Sequence, residues 1–369
     1  MKLIYFIRQN TIILINTIVC FFILDLALTK IYGLKGYAEF FESNNRVGYI
    51  NKRGFSGVFG GPLDEFNNVV NIDRFGNRYS ANKICKNKNL NENKYQKVLF
   101  VGDSALAGFE VDDNETYVSI LNKKCDNNFR FINGGVRGHD THMAIANLKR
   151  LIIEKDLDHK DTKFIYMLTS NDFRENDYKN SYFGMKSKFG SIYDSTFYKP
   201  YSNPLKMKTK EFLGKNFYFL KKFRRFLILK YAEYKNNKEN KKILNINKSI
   251  DQEKNIAKKC KRVIDIISSS ILGERSIKEI YIISHPGLSK NSLDNFKIQE
   301  NCLNNASKTN ENIIVIQIAN ELEDILENRK SNLSFKFKRD SHYNKNGHYI
   351  LSQVINNIIT SKSFEDYIN

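Results

Sequence analysis

Tryptophan is absent from this 369-residue chain, and its 13% aromatic content is carried wholly by 27 Phe and 20 Tyr. The heavy use of Asn, Lys and Ile reads as nucleotide bias and carries no functional reading. None of the five cysteines has metal-ligand spacing, which removes a zinc-organised domain from consideration. Acidic residues are the minority charge, 40 Asp plus Glu against 59 Lys plus Arg, for a net charge of +19. Such a balance suits nucleic acid, an anionic membrane surface or acidic glycans. Between Lys206 and Lys242 there are 13 Lys/Arg against 3 Glu, so about half of the excess sits in one short segment. With no zinc-finger or RNA-binding signature beside it, nucleic acid is not the expected partner.

The N-terminus has Lys2 and Arg8 ahead of an apolar run, Thr11 to Leu28, closed by Lys30. That run is just long enough to cross a hydrocarbon core of roughly 30 Å as a helix. Asp25 falls near its end, where the cost of a carboxylate declines toward the headgroups. No small-x-small cleavage site follows, and Thr-Ile-Val before Cys20 lacks the small residue of a lipoprotein signal. The expectation is an uncleaved single-pass anchor over residues 1–33, with the rest of the chain on the extracytoplasmic (periplasmic or external) side; a cleaved signal peptide is the alternative. Beyond Cys20, an even set remains: Cys85, Cys125, Cys260 and Cys302. Two disulfides are allowed in such a compartment, with connectivity open.

Residues 34–96 are rich in Gly, Asn and polar side chains and read as an irregular lead-in with a few short strands, packing on the core. Regular alternation then runs over 97–361. Apolar runs at Lys97–Val101, Phe129–Ile132, Lys163–Leu168, Glu279–Ser284 and Ile313–Ile318 suit strands buried on both faces of a parallel sheet. Helix-period stretches lie at Tyr117–Lys124, Thr141–Glu154, Ile250–Leu272, Ala319–Leu326 and Asn346–Thr360. The expected fold is therefore α/β: three layers around a flavodoxin-like, doubly wound sheet of about five parallel strands, plus the N-terminal transmembrane helix. An insertion, 175–249, interrupts the alternation. It holds KEFLGKNFYFLKKFRRFLILKYAEYK, readable as a lid whose aromatics pack on the domain or as a helix lying on anionic headgroups.

In doubly wound sheets, sites collect beyond the carboxyl ends of the strands. After the first comes Gly102-Asp103-Ser104, where a serine can cap a helix or expose its hydroxyl beside free backbone N–H groups. The second is followed by NGGVRGHDTH, Asn133 to His142, a Gly-rich turn in which Arg137, His139 and His142 read as solvated loop side chains. The third is followed by TSNDF, where the Asn171 amide can donate to a developing negative charge or close an Asx turn. Near the C-terminus, Asp340 and His342 flank Ser341 before the last helix. If that stretch is extended, the two side chains leave one face, and Asp340 could orient His342.

Taken in order, these blocks resemble the SGNH (GDSL-type) hydrolase superfamily, and DxHxNxxGH, matched by Asp340, His342, Asn344, Gly347 and His348, resembles its membrane-anchored members. Thr169 stands where that family usually has Gly. NIDRFGNRYS is similar to a segment that precedes the first block in anchored members, with Gly76 and Arg78 matching and Arg78 expected to tie the lead-in to the core. The resemblance implies a nucleophile at Ser104, a base at His342 oriented by Asp340, and an oxyanion hole from Ser104 N–H, Gly138 N–H and the Asn171 side chain. It implies a membrane-anchored serine esterase acting, with no metal or organic cofactor, on an O-acyl ester, O-acetyl among the candidates, of an envelope glycan or lipid. An O-acyltransferase using the same triad on a cell-surface polysaccharide is the alternative, and a non-catalytic envelope scaffold a third. The expected partners are that acyl ester substrate, the membrane through the N-terminal helix, and an anionic membrane surface through 206–242.

Overall fold

Along the first strand of the core, Val98 and Phe100 enter one hydrophobic cluster while Leu99 and Val101 enter another. Side chains alternate across a strand, so a continuous apolar run marks a sheet covered on both faces. In a computed structural model, the structure describes residues 2–31, 40–60, 65–80, 95–124, 129–170, 172–175, 217, 219, 223, 227, 230, 249–272, 274, 276–286, 290–328, 334–338 and 340–360.

These residues fall into two compact units. One holds the N-terminal helix α1 (Lys2–Ile31), Phe40 and the described residues between 217 and 230. Residues Gln9–Ile31 of α1 are long and apolar enough to cross a membrane, and most of their large apolar side chains are exposed. Asp25, the carboxylate in this apolar helix, is 2% exposed and accepts hydrogen bonds from the Phe219 backbone N–H at 2.9 Å and the Thr29 hydroxyl at 3.3 Å. Phe22 and Phe217 meet edge to face, with ring centroids 5.3 Å apart. In this unit Phe219, Phe223 and Leu227 are exposed.

The second unit carries two antiparallel hairpins and the main sheet. The hairpins are β1 (Phe41–Asn44) with β2 (Gly48–Asn51), and β3 (Ser56–Gly60) with β4 (Asn67–Asn71). The sheet consists of β5 (Gln96–Gly102), β6 (Phe129–Gly135), β7 (Thr162–Leu168), β8 (Ile280–Ser284) and β9 (Ile313–Ile316), all parallel, in the order β6-β5-β7-β8-β9. This is the flavodoxin-like order, and its switch point lies between β5 and β7. The register aligns Gly102 with Gly135 on one side and Met167 on the other, so the three loops that follow leave the sheet at one level.

Helices α2 (Ser104–Ala107), α3 (Tyr117–Lys123), α4 (Thr141–Lys155), α5 (Asp172–Glu175), α6 (Ser249–Ile271), α7 (Lys290–Ser307), α8 (Ala319–Glu327) and α9 (Lys345–Thr360) complete the unit. Residues of α3, α8 and α9 pack on the Phe100 face; those of α4 and α6 pack on the Leu99 face. A disulfide joins Cys260 of α6 to Cys302 of α7; Cys20 is free, and Cys85 and Cys125 lie outside the described residues.

Beyond the one-turn helices α2 and α5 and the three extra residues at the end of β6, two elements depart from the sequence expectation. Helix α7 was not foreseen because its sequence is mostly polar; its buried positions Leu293, Phe296, Glu300, Leu303 and Ser307 keep helical spacing, but two of the five are not apolar. Strand β9 stops at Ile316 instead of Ile318 because the N–H groups of Ile318 and Ala319 donate to the buried Glu300 carboxylate, at 2.8 and 3.1 Å. That carboxylate occupies the start of α8, where no residue of the helix itself supplies a side-chain cap.

The lead-in is more regular than its composition suggests. Arg78 N–H donates to the Asn133 carbonyl at 3.0 Å, Asn51 Nδ2 to the Gly135 carbonyl at 2.9 Å, and the Tyr49 hydroxyl to the Arg137 carbonyl at 2.9 Å. All three acceptors belong to β6 or the turn after it, so the lead-in braces one wall of the region beyond the sheet. The Arg78 side chain, 1% exposed, reaches the Val111 carbonyl at 3.0 Å and Asp113 at 2.9 Å.

Candidate active site

Strand β5 ends in a turn whose cap is Asp103, not Ser104. The Asp103 carboxylate accepts from Ala105 N–H at 2.9 Å, and α2 ends after one turn at Gly108, whose φ is 60°. Relieved of capping, Ser104 occupies the first helical position, and its hydroxyl is available for other partners. Gly135 lets β6 pass this turn closely: a Cβ there would lie 2.5 Å from Ala107 N. Asn133 ties the two loops together, donating to the Leu106 carbonyl at 2.9 Å and accepting from Gly135 N–H at 3.0 Å.

The Ser104 hydroxyl meets His342 Nε2 at 2.8 Å. On the other side of the ring, Nδ1 bonds to Asp340 Oδ1, and the same oxygen accepts from the His342 backbone N–H at 3.0 Å. The stretch is bent rather than extended. One carboxylate oxygen thus reaches both groups of a residue two positions on, which corrects the picture of two side chains leaving one face of a strand. Burial opposes ionisation of Asp340, yet the hydrogen bonds and charge of His342 hold its pKa down at about 2. Burial likewise opposes the His342 cation, but Glu110 and Asp340 outweigh it and leave the pKa above its ordinary 6.5.

The rest of the DxHxNxxGH segment serves this loop. The Asn344 side chain accepts from Asn346 N–H and Gly347 N–H, at 3.0 and 3.1 Å, and so caps α9. His348 is buried, stacks on Tyr117 with centroids 5.7 Å apart and accepts from Tyr117 N–H at 3.4 Å. Burial holds its pKa down at about 3, so it acts as a neutral structural acceptor.

After β7, Thr169 joins two loops. Its hydroxyl lies 2.9 Å from Asp103 Oδ2 and 3.2 Å from Asp172 Oδ2, while Asp172 also accepts from Thr169 N–H and from the Tyr166 hydroxyl, at 2.8 and 3.0 Å. Asn171 itself lies outside the described residues. Gly138 has φ 78°, a left-handed conformation that favours glycine.

The solvated reading of the loop residues does not hold for two of them. His139 is 1% exposed, its Nε2 is 3.0 Å from the Tyr49 carbonyl, and burial brings its pKa down to about 3. Arg137 pairs with Glu110 and lies over the rings of Phe59 and Phe109, 4.9 and 5.9 Å from their centroids. Both are drawn inward by the lead-in aromatics, which loop composition alone does not reveal. His142, on α4, is half-buried. Sequence reading missed Glu110, which is buried with Oε1 3.4 Å from His342 Nδ1. The available signal was a lone carboxylate in the apolar stretch AGFEV.

No protein-family model matches the chain, and no curated protein matches it in sequence. Among solved structures, it is similar to TesA at 11% identity, with 72% of this chain and 98% of that chain covered and a TM-score of 0.35. It is also similar to a mutant of the esterase AlinE4 at 13% identity, with 74% and 98% covered and a TM-score of 0.29. The functional reading therefore rests on this chain's own side chains, set beyond the carboxyl ends of a five-stranded parallel α/β sheet.

Proposed function

We propose that this chain is a membrane-anchored serine esterase of the SGNH type that cleaves an O-acyl ester of an envelope glycan or lipid. The observation that carries the reading is the Ser104 Oγ to His342 Nε2 contact of 2.8 Å, with Asp340 on the opposite ring nitrogen. Ser104 Oγ attacks the ester carbonyl as its proton passes to Nε2, while Asp340 keeps Nδ1 protonated and stabilises the imidazolium. The tetrahedral oxyanion is received by the N–H groups of Ser104 and Gly138 and by the Asn171 amide. Collapse of the intermediate releases the alcohol, which takes the proton from Nε2. Water then attacks the acyl-enzyme with His342 as base, freeing the acid and restoring the Ser104 hydroxyl.

The test uses the purified full chain with p-nitrophenyl acetate, with and without a glycan acceptor. Free acetate is the expected product; acetylated glycan as the dominant product would assign transfer instead. Absence of turnover together with absence of fluorophosphonate labelling at Ser104 would sink the reading.

The membrane part of the proposal places the catalytic unit on the extracytoplasmic side and the 206–242 stretch against an anionic bilayer surface. Support comes from the pairing of Asp25 with Phe219 N–H and the exposure of Phe219, Phe223 and Leu227 in the same unit as α1. In a Cys20→Ser/Cys85→Ser/Cys125→Ser background, a fluorophore on Phe223→Cys should be quenched by nitroxide lipids in anionic vesicles. Quenching by aqueous iodide alone would overturn it.

A further inference from the structure

Glu110 is 1% exposed, comes from the segment after α2 and points at the same ring nitrogen as Asp340. Its Oε1 lies 3.4 Å from His342 Nδ1 and pairs with Arg137, while its Oε2 is buried and has no hydrogen-bond partner among the described residues. One Nδ1 proton thus faces two carboxylates. The proton goes to Asp340, which is nearer, and Glu110 acts through its charge. Resting, the group Asp340, Glu110 and Arg137 carries net charge −1; once His342 is protonated, the sum is zero. A buried cluster that is neutral when the base holds the proton favours that protonated form. Arg137 alone would do the opposite, since its cation opposes a second one on His342, and Glu110 cancels it.

The geometry points to Glu110 as a positioning residue: a second carboxylate partner of His342, held in place by Arg137, that shares with Asp340 the stabilisation of the imidazolium. The inference rests on the esterase reading above and deepens it. The charged and titratable groups facing His342 are Asp340, Glu110 and Arg137, with His285 and His348 further off and held uncharged by burial.

The experiment compares full-length wild type, Glu110→Gln, Glu110→Asp, Asp340→Asn and the Glu110→Gln/Asp340→Asn double variant. Readouts are the pH dependence of kcat/KM on p-nitrophenyl acetate and the His342 titration by NMR, which needs no turnover. Glu110→Gln should move the acid limb and the His342 titration to lower pH, and Glu110→Asp should restore part of that shift. Asp340→Asn should lose about 10²-fold in kcat, less than the roughly 10⁴-fold typical when a triad carboxylate is neutralised, and the double variant should reach the larger loss. If Glu110→Gln fails to fold, Asp340→Asn alone still decides: its kcat loss should stay at about 10²-fold if Glu110 supports the cation, and reach roughly 10⁴-fold if it does not. An unshifted Glu110→Gln profile, or Asp340→Asn equal to the double variant, overturns the inference. An inactive wild type whose His342 still titrates lower in Glu110→Gln would instead fault the esterase reading and leave the Glu110 coupling standing.

Discussion

Ser104 Oγ and His342 Nε2 stand 2.8 Å apart although 238 residues separate them, and the cap that Ser104 could have supplied is made by Asp103. The two neighbours should therefore separate cleanly by mutation. Ser104→Ala should abolish fluorophosphonate labelling and lower kcat by about 10⁵-fold or more, while leaving stability within about 0.5 kcal/mol. Asp103→Ala loses the cap and the Thr169 contact, and should cost about 1 to 2 kcal/mol in urea unfolding.

The raised pKa of His342 sets the acid limb of activity, because the neutral imidazole is the form that accepts the Ser104 proton. Activity should be half-maximal above pH 6.5 and decline as pH falls through that value. Asp340, at about 2, stays ionised throughout, so a single-proton limb is expected down to about pH 4. A kcat/KM profile with two protons on the acid side would contradict this assignment.

The Cys260–Cys302 bridge closes a 42-residue separation between α6 and α7, both of which contribute to the hydrophobic cluster on the Leu99 face. Chain-entropy reasoning assigns such a loop about 4 kcal/mol. The double variant Cys260→Ser/Cys302→Ser should lose stability of that order without changing fluorophosphonate labelling at permissive temperature. Equal denaturation midpoints with and without the bridge would refute it.

Glu300 ties stability to pH. Burial pushes its carboxyl up to about 7 despite the two backbone hydrogen bonds that favour the anion. A carboxyl raised in the folded state contributes fully below its unfolded value near 4.5; that contribution is lost as pH rises to about 7 and then stays flat. The displacement corresponds to roughly 3 kcal/mol. Glu300→Gln should flatten stability between pH 4.5 and 7 while keeping an oxygen for one of the two backbone N–H groups of Ile318 and Ala319.

Elements with strong local signals were legible in the sequence. Runs such as KVLFV announce strands buried on both faces, and all five strands were located to within about three residues by that signal. Helix α7 was not, because polar residues fill part of its buried face, and the end of β9 was not, because a carboxylate from another helix takes its amides. At the site, Ser104, Asp340 and His342 stood out by residue type and order. Glu110 and Arg137 did not, since a lone carboxylate in AGFEV and an arginine in a Gly-rich turn do not reveal that the two pair beside a histidine.

Residue spacing along the chain is enough to specify a doubly wound α/β sheet, an apolar N-terminal helix and a Gly-Asp-Ser turn at a strand end, because each depends on side-chain periodicity or turn chemistry over a few positions. Which oxygen caps α2, which cysteines pair, and which two carboxylates share the His342 ring depend on distances between segments far apart in the chain. Those were decided by the β6-β5-β7-β8-β9 order and by the lead-in and last loop folding over its carboxyl end, where burial makes each charge answer to its nearest neighbours.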